Sequence, residues 1–104
     1  MKSPQFLPKL KKLRFLSIYK VSGNSMSPAL NHGQLVIVGN WLPEKLNQKI
    51  IVFNHEGLTK IKRVKSSDKD GVYVVGDNLN HSTDSRHFGT INYSQLIGIV
   101  LFSL

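Results

Sequence analysis

Leu58-Thr59-Lys60-Ile61-Lys62-Arg63-Val64-Lys65, then polar Ser66 to Asp70, then Gly71-Val72-Tyr73-Val74-Val75: this stretch decides the fold. The first run alternates well enough for a strand, and the second is rich in β-branched and aromatic residues. Asp70-Gly71 between them is a hairpin signal, because both residue types tolerate positive φ. Alternation places Lys62 on the same face as Leu58, Lys60 and Val64, so its amine points into an apolar layer, and turns Arg63 the other way.

Outward from this hairpin the chain keeps the same character. Gln34-Leu35-Val36-Ile37-Val38 is bounded by Gly33 and by Gly39-Asn40, and Lys49 to Phe53 ends at Asn54 before a His55-Glu56-Gly57 turn. Leu96-Ile97-Gly98-Ile99-Val100-Leu101-Phe102 is nearly continuous in apolar residues, as suits a buried strand. Helical pattern is scarce, apart from a turn after Ser27-Pro28 with proline at a first helical position. From about Tyr19 onward, six or seven short strands predict an all-β fold, a compact folded sheet or barrel.

The chain has 104 residues, enough for one small domain and too few for two cores. It has no cysteine, which excludes a disulfide scaffold, a thiolate metal site and a cysteine nucleophile. The net charge of +8 invites a nucleic-acid or anionic-membrane reading, but the charge is uneven. Lys2, Lys9, Lys11, Lys12, Arg14 and Lys20 precede every acidic residue, and the remainder is nearly balanced. The organisation read from this is a basic N-terminal extension over 1–18 and a domain over 19–104.

Pro8 interrupts the Phe6-Leu7 pair and Phe15 to Tyr19 is short, so neither makes a secretory leader. No run approaches the roughly 20 apolar residues of a membrane span. The spacing of Leu10, Leu13 and Leu16 allows a short basic amphipathic turn, with weak peripheral contact to anionic lipid as the alternative to a solvated tail. A nucleic-acid-binding barrel would interleave aromatic with basic residues on a strand face, and Leu58 to Lys65 contains no aromatic.

Two loops carry reactive side chains. Ser22-Gly23-Asn24-Ser25-Met26-Ser27-Pro28 crowds small residues at a strand exit, where backbone N–H groups and a serine hydroxyl stay approachable. A serine needs a base. The histidines at 32, 55, 81 and 87 leave a Ser-His-Asp arrangement open, since such triads are set by geometry and not by order. A lysine is the other option. At its ordinary pKa it is neutral in only about one molecule in two thousand at pH 7, so it must be desolvated to act. The second loop, Gly76 to Gly89, is too rich in hydrogen-bonding side chains for a minimal connector, and Asp84 and Arg86 in it are placed to pair. No calcium or zinc ligand pattern is present.

In order, Gly23-Asn24-Ser25-Met26-Ser27-Pro28, Ile61-Lys62-Arg63-Val64, Gly76-Asp77-Asn78 and Ser82-Thr83-Asp84-Ser85-Arg86-His87-Phe88-Gly89 resemble the boxes of the type I signal peptidase family of Ser/Lys endopeptidases. The resemblance covers about residues 20–102. It implies the signal peptidase catalytic core without an accessory domain. It also implies Ser25 as nucleophile, Lys62 as general base, and Ser82 as the hydroxyl that orients the lysine amine. Asp84 and Arg86 match the family's structural ion pair, with Arg63 beside the lysine, placed to join them. The Ser25 N–H would be one oxyanion donor. Gly23 stands where one branch of the family has a second donor, a serine, so that donor stays open. No metal or cofactor is implied.

The short chain, with no N-terminal span, is most similar to the nickel-type superoxide dismutase maturation proteases. These enzymes remove the N-terminal leader of a precursor protein, and the expected location of the chain is cytoplasmic, with peripheral membrane contact as the alternative. Three alternatives remain: a minimal signal peptidase acting on exported preproteins, a self-cleaving SOS-type peptidase, and a basic nucleic-acid-binding barrel. Self-cleaving relatives cut a small-residue-Gly bond upstream of the serine, and no Ala-Gly or Cys-Gly occurs here.

Overall fold

A computed structural model describes the backbone of residues 9–12 and all of residues 15–104. Its strands are β1 (Lys9–Lys12), β2 (Leu16–Lys20), β3 (Leu35–Gly39), β4 (Ile50–His55), β5 (Leu58–Asp68), β6 (Gly71–Val75) and β7 (Leu96–Ser103). They form one sheet in the order β1-β2-β3-β7-β4-β5-β6, and every pairing is antiparallel. The only α-helix among the described residues is the single turn α1 (Ser85–Phe88). The fold is all-β, as the alternation predicts, with no accessory domain among the described residues.

The long apolar runs are explained by a sheet that packs on both faces. Val52 of β4 and Ile61 of β5 join Tyr19, Val21, Met26, Leu30, Val36 and Val38 in one core cluster. Their neighbours Ile51, Phe53 and Val64 join Leu46, Val72, Val74, Ile91 and Ile99 in the other. A central strand covered on both sides reads as a continuous hydrophobic run and not as strict alternation.

Three local expectations change. The β5–β6 hairpin exists, but Asp68 pairs with Gly71, so Lys69-Asp70 makes the turn and Gly71 belongs to the strand. The Asp68 carboxylate accepts from the N–H groups of Asp70 (2.8 Å) and Gly71 (3.2 Å), so a side chain closes the turn without positive φ. Gly71 serves a close approach instead: a Cβ there would stand 2.7 Å from the Ile91 carbonyl oxygen.

The segment after Ser27-Pro28 is not helical. It is a turn with a cis Ser27–Pro28 peptide, in which Leu30 N–H donates to Met26 O at 2.9 Å.

The sheet also reaches back into residues 1–18. Lys9–Lys12 is a strand on the free edge of β2, where backbone groups supply the pairing whatever the leucine spacing. Leu16, in the same spacing, already belongs to β2. Phe6, Leu7, Pro8, Leu13 and Arg14 lie outside the described residues. No helix among the described residues is long and apolar enough to cross a membrane.

Candidate active site

Ser25 leaves β2 on the small-residue loop, and Lys62 projects from the middle of β5. Both are nearly sealed from solvent, at 6% and 2% exposure. Lys62 Nζ donates to Ser25 Oγ at 2.8 Å across 37 residues of sequence. Among the described residues a lysine, and no histidine, stands at hydrogen-bond distance from the serine hydroxyl. His32 instead accepts from the Gly23 N–H through Nδ1 at 2.9 Å, and His87 Nδ1 accepts from the Asp84 N–H at 3.2 Å.

Burial pushes the Lys62 amine down from its ordinary value to about 8. Asp84 opposes that shift, while Lys60 and Arg86 add to it. Among the described residues no carboxylate lies within 4 Å of Lys62. At pH 7 roughly one such lysine in ten is neutral, a gain of about two orders of magnitude over a solvated one. A neutral amine buried against a serine hydroxyl is chemically competent to activate that hydroxyl. The Ser25 N–H donates to no protein acceptor among the described residues, so it is open to a developing oxyanion.

Behind the pair lies Asp84, fully buried and satisfied on both oxygens. Oδ2 accepts from Ser82 Oγ (2.7 Å), Gly76 N–H (2.8 Å) and Arg86 Nη2 (3.1 Å). Oδ1 accepts from Arg86 Nε (2.8 Å) and Arg86 N–H (3.2 Å). Burial alone would raise this carboxyl, but Arg86, Gly76 and Ser82 outweigh it and hold the pKa at about 2. The Asp84–Arg86 pair expected from the resemblance is therefore present, and Asp84 also caps α1.

Two expected placements differ. Ser82 gives its proton to Asp84 and makes no hydrogen bond to Lys62 among the described residues, because a buried carboxylate with four acceptor sites draws the nearest hydroxyl. Arg63 does not join Asp84 and Arg86. Strand alternation turns it away from the lysine, and it forks onto Asp77, with Nε to Oδ1 and Nη2 to Oδ2 both at 2.8 Å. Its Nη1 reaches Gln48 O at 2.9 Å.

The Gly76-Asp77-Asn78 turn carries functions that its motif alone did not assign. Gly76 donates to Asp84 and Asp77 receives Arg63. Asn78 holds the serine loop directly, its N–H donating to Ser25 O (2.9 Å) and its Nδ2 to Asn24 O (3.1 Å). A Cβ on Gly76 would run into the Ser82 hydroxyl and stand 2.6 Å from Ser25 O, so glycine is what lets the two loops close. The sequence signal was the tripeptide itself, three turn-forming residues ending β6. What each one grips depends on chain segments far from it.

A family model described as Peptidase S24-like matches residues 5–101. No curated protein matches the sequence.

Proposed function

Since the chain belongs to the Peptidase S24-like family, and its function is therefore of the serine-peptidase kind, we propose that it is an endopeptidase working through a Ser25/Lys62 dyad. The observation that carries this reading is the 2.8 Å contact between a buried hydroxyl and a buried amine whose pKa lies near neutrality. In its neutral form Lys62 takes the Ser25 proton as Oγ attacks the scissile carbonyl carbon. The tetrahedral oxyanion faces the Ser25 N–H. Lys62 then passes its proton to the departing amine, leaving an ester on Ser25. Lys62 next deprotonates a water that attacks the ester; the bond to Oγ then breaks, Lys62 returns the proton to Ser25 Oγ, and the new carboxyl terminus leaves. Ser82 and Arg86 act at one remove, by fixing Asp84 beside the lysine; Arg63 acts through Asp77 on the turn that grips the serine loop.

The substrate class is a protein precursor carrying an N-terminal leader, with the nickel-type superoxide dismutase precursor as first candidate. The support is the resemblance of the sequence boxes, in minimal form, to those of the type I signal peptidase family. Incubation of the protein with that precursor and, separately, with a secretory preprotein tests this, with new N-termini read by mass spectrometry. Cleavage of the dismutase precursor alone is expected. Cleavage of the secretory preprotein alone would assign the chain to export processing. The S24-like match also bears on self-cleavage. An intact mass that falls on incubation of the pure wild type, and holds in Ser25→Ala, would establish cleavage of its own chain instead.

A further inference from the structure

The proposed chemistry uses one of two lysines on the inner face of β5. Lys60 is 6% exposed, an unusual place for an ammonium. It lies two residues from Lys62 on the same side of the strand, a spacing of about 7 Å. Opposite the two lysines on β4 stand Ile51, paired with Lys62, and Phe53, paired with Lys60, both fully buried. The surroundings separate the two amines. Lys60 Nζ sits 5.0 Å from the centroid of the Phe88 ring, and that ring is stacked on His55 at 4.1 Å. Burial pushes the Lys60 amine down from its ordinary value, while Glu56 in the adjoining turn and the aromatic face favour its charged form. Among the described residues Lys62 hydrogen-bonds only to the Ser25 hydroxyl, and the carboxylate that acts on it, Asp84, is already saturated by Arg86, Ser82 and Gly76.

We propose that Lys60 is a positioning residue for the base: a second ammonium, held by the Phe88 ring on the same face of β5, that disfavours protonation of the Lys62 amine. The proposal rests on the reading of Lys62 as general base. Two like charges on same-face neighbours of a partly desolvated strand repel, and a shift of the weaker one by about one pH unit is the size expected. The charged groups that face Lys62 are Lys60 on its own strand and Asp84 and Arg86 from the 82–88 segment. β4 presents apolar Ile51 and Phe53 until His55 at its end, β6 presents Val72 and Val74, and the serine loop presents hydroxyls. Asp84 pulls Lys62 towards the charged form; burial, Lys60 and Arg86 pull it towards the neutral one.

The test is a pH titration of the full chain carrying 13Cε-labelled lysine, with the Lys62 resonance assigned by its loss in Lys62→Ala. Lys60→Met and Lys60→Gln remove the charge with different packing, and Lys60→Arg keeps it. In both neutral variants the Lys62 midpoint should rise by about one pH unit, while Lys60→Arg holds it near the wild-type value. The rate at which a fluorophosphonate labels Ser25 at pH 7 should fall by up to roughly tenfold in the neutral variants and recover in Lys60→Arg. A midpoint unmoved in whichever neutral variant folds, or moved as far by Lys60→Arg, overturns the proposal. If Lys62→Ala leaves Ser25 labelling at the wild-type rate, the base assignment itself has failed. Loss of labelling in Lys62→Ala with an unmoved midpoint removes only the role of Lys60.

Discussion

Two ionisable groups are buried side by side in this protein, and they are treated in opposite ways. Asp84 has no exposed surface, yet five donor contacts surround its two oxygens and hold it ionised. Lys62 is as deeply buried but, among the described residues, meets one hydroxyl and no carboxylate within 4 Å, and desolvation lowers its pKa to about 8. A buried charge that is fully paired builds structure, and one left nearly unpaired becomes reactive. The carboxylate cluster organises the turn and α1.

The sharpest way to break this contrast is at the reactive pair. Ser25→Ala or Lys62→Ala should lower peptidase activity by about ten-thousand-fold or more while the far-ultraviolet circular dichroism stays that of the wild type. The wild-type rate should climb with pH up to about 8 and then level off; a profile falling across that range would contradict a lysine base.

Asp84→Ala attacks the other side. It strands Arg86, Ser82 and the Gly76 N–H and should destabilise the fold by about 4 kcal/mol in thermal or urea unfolding. The sign of its pH dependence follows from a folded pKa of about 2 against 3.8 unfolded. The contribution of ionised Asp84 is complete above pH 4 and is lost as pH falls towards 2. Asp84→Asn should lack that loss.

Lys62→Met should do the reverse of Asp84→Ala. The lysine binds its proton less tightly folded (about 8) than unfolded (10.5), so wild-type stability rises with pH between those values. Below pH 8 the buried amine costs on the order of 3 kcal/mol, and the apolar substitution should return up to that amount while abolishing activity. The gain should shrink as pH approaches 10.5. An unchanged unfolding midpoint at pH 7 would mean the amine is not desolvated.

Arg63→Ala is the mildest case. The Arg63–Asp77 bridge is partly exposed, so its loss should change stability by about 1 kcal/mol, with a modest fall in activity through the Asn78 grip on the serine loop.

Much of this arrangement can be read along the chain. Alternation over Leu58 to Val64 put Lys62 on an apolar face and Arg63 on the other, and β5 follows it. The Asp84–Arg86 pair is local, separated by two residues, so its motif sufficed. Ser82 and Arg63 were harder. Each has more than one acceptor within a plausible reach, and the choice depends on which carboxylate the fold has stripped of water. The turn at Lys69-Asp70 was displaced because Asp68 offers its side chain to the backbone, which a rule based on positive φ does not capture.

The sequence by itself determined that short strands would make an all-β domain, and that a serine in a small-residue loop and an inward lysine were its reactive candidates. Period and turn chemistry are local properties, carried by residues a few positions apart. Only the tertiary structure decided that Ser25 and Lys62 meet, that Arg63 holds Asp77, and that Lys60 lies under the ring of Phe88. Those outcomes depend on strand order, register and desolvation, which arise when distant segments exclude water from one another.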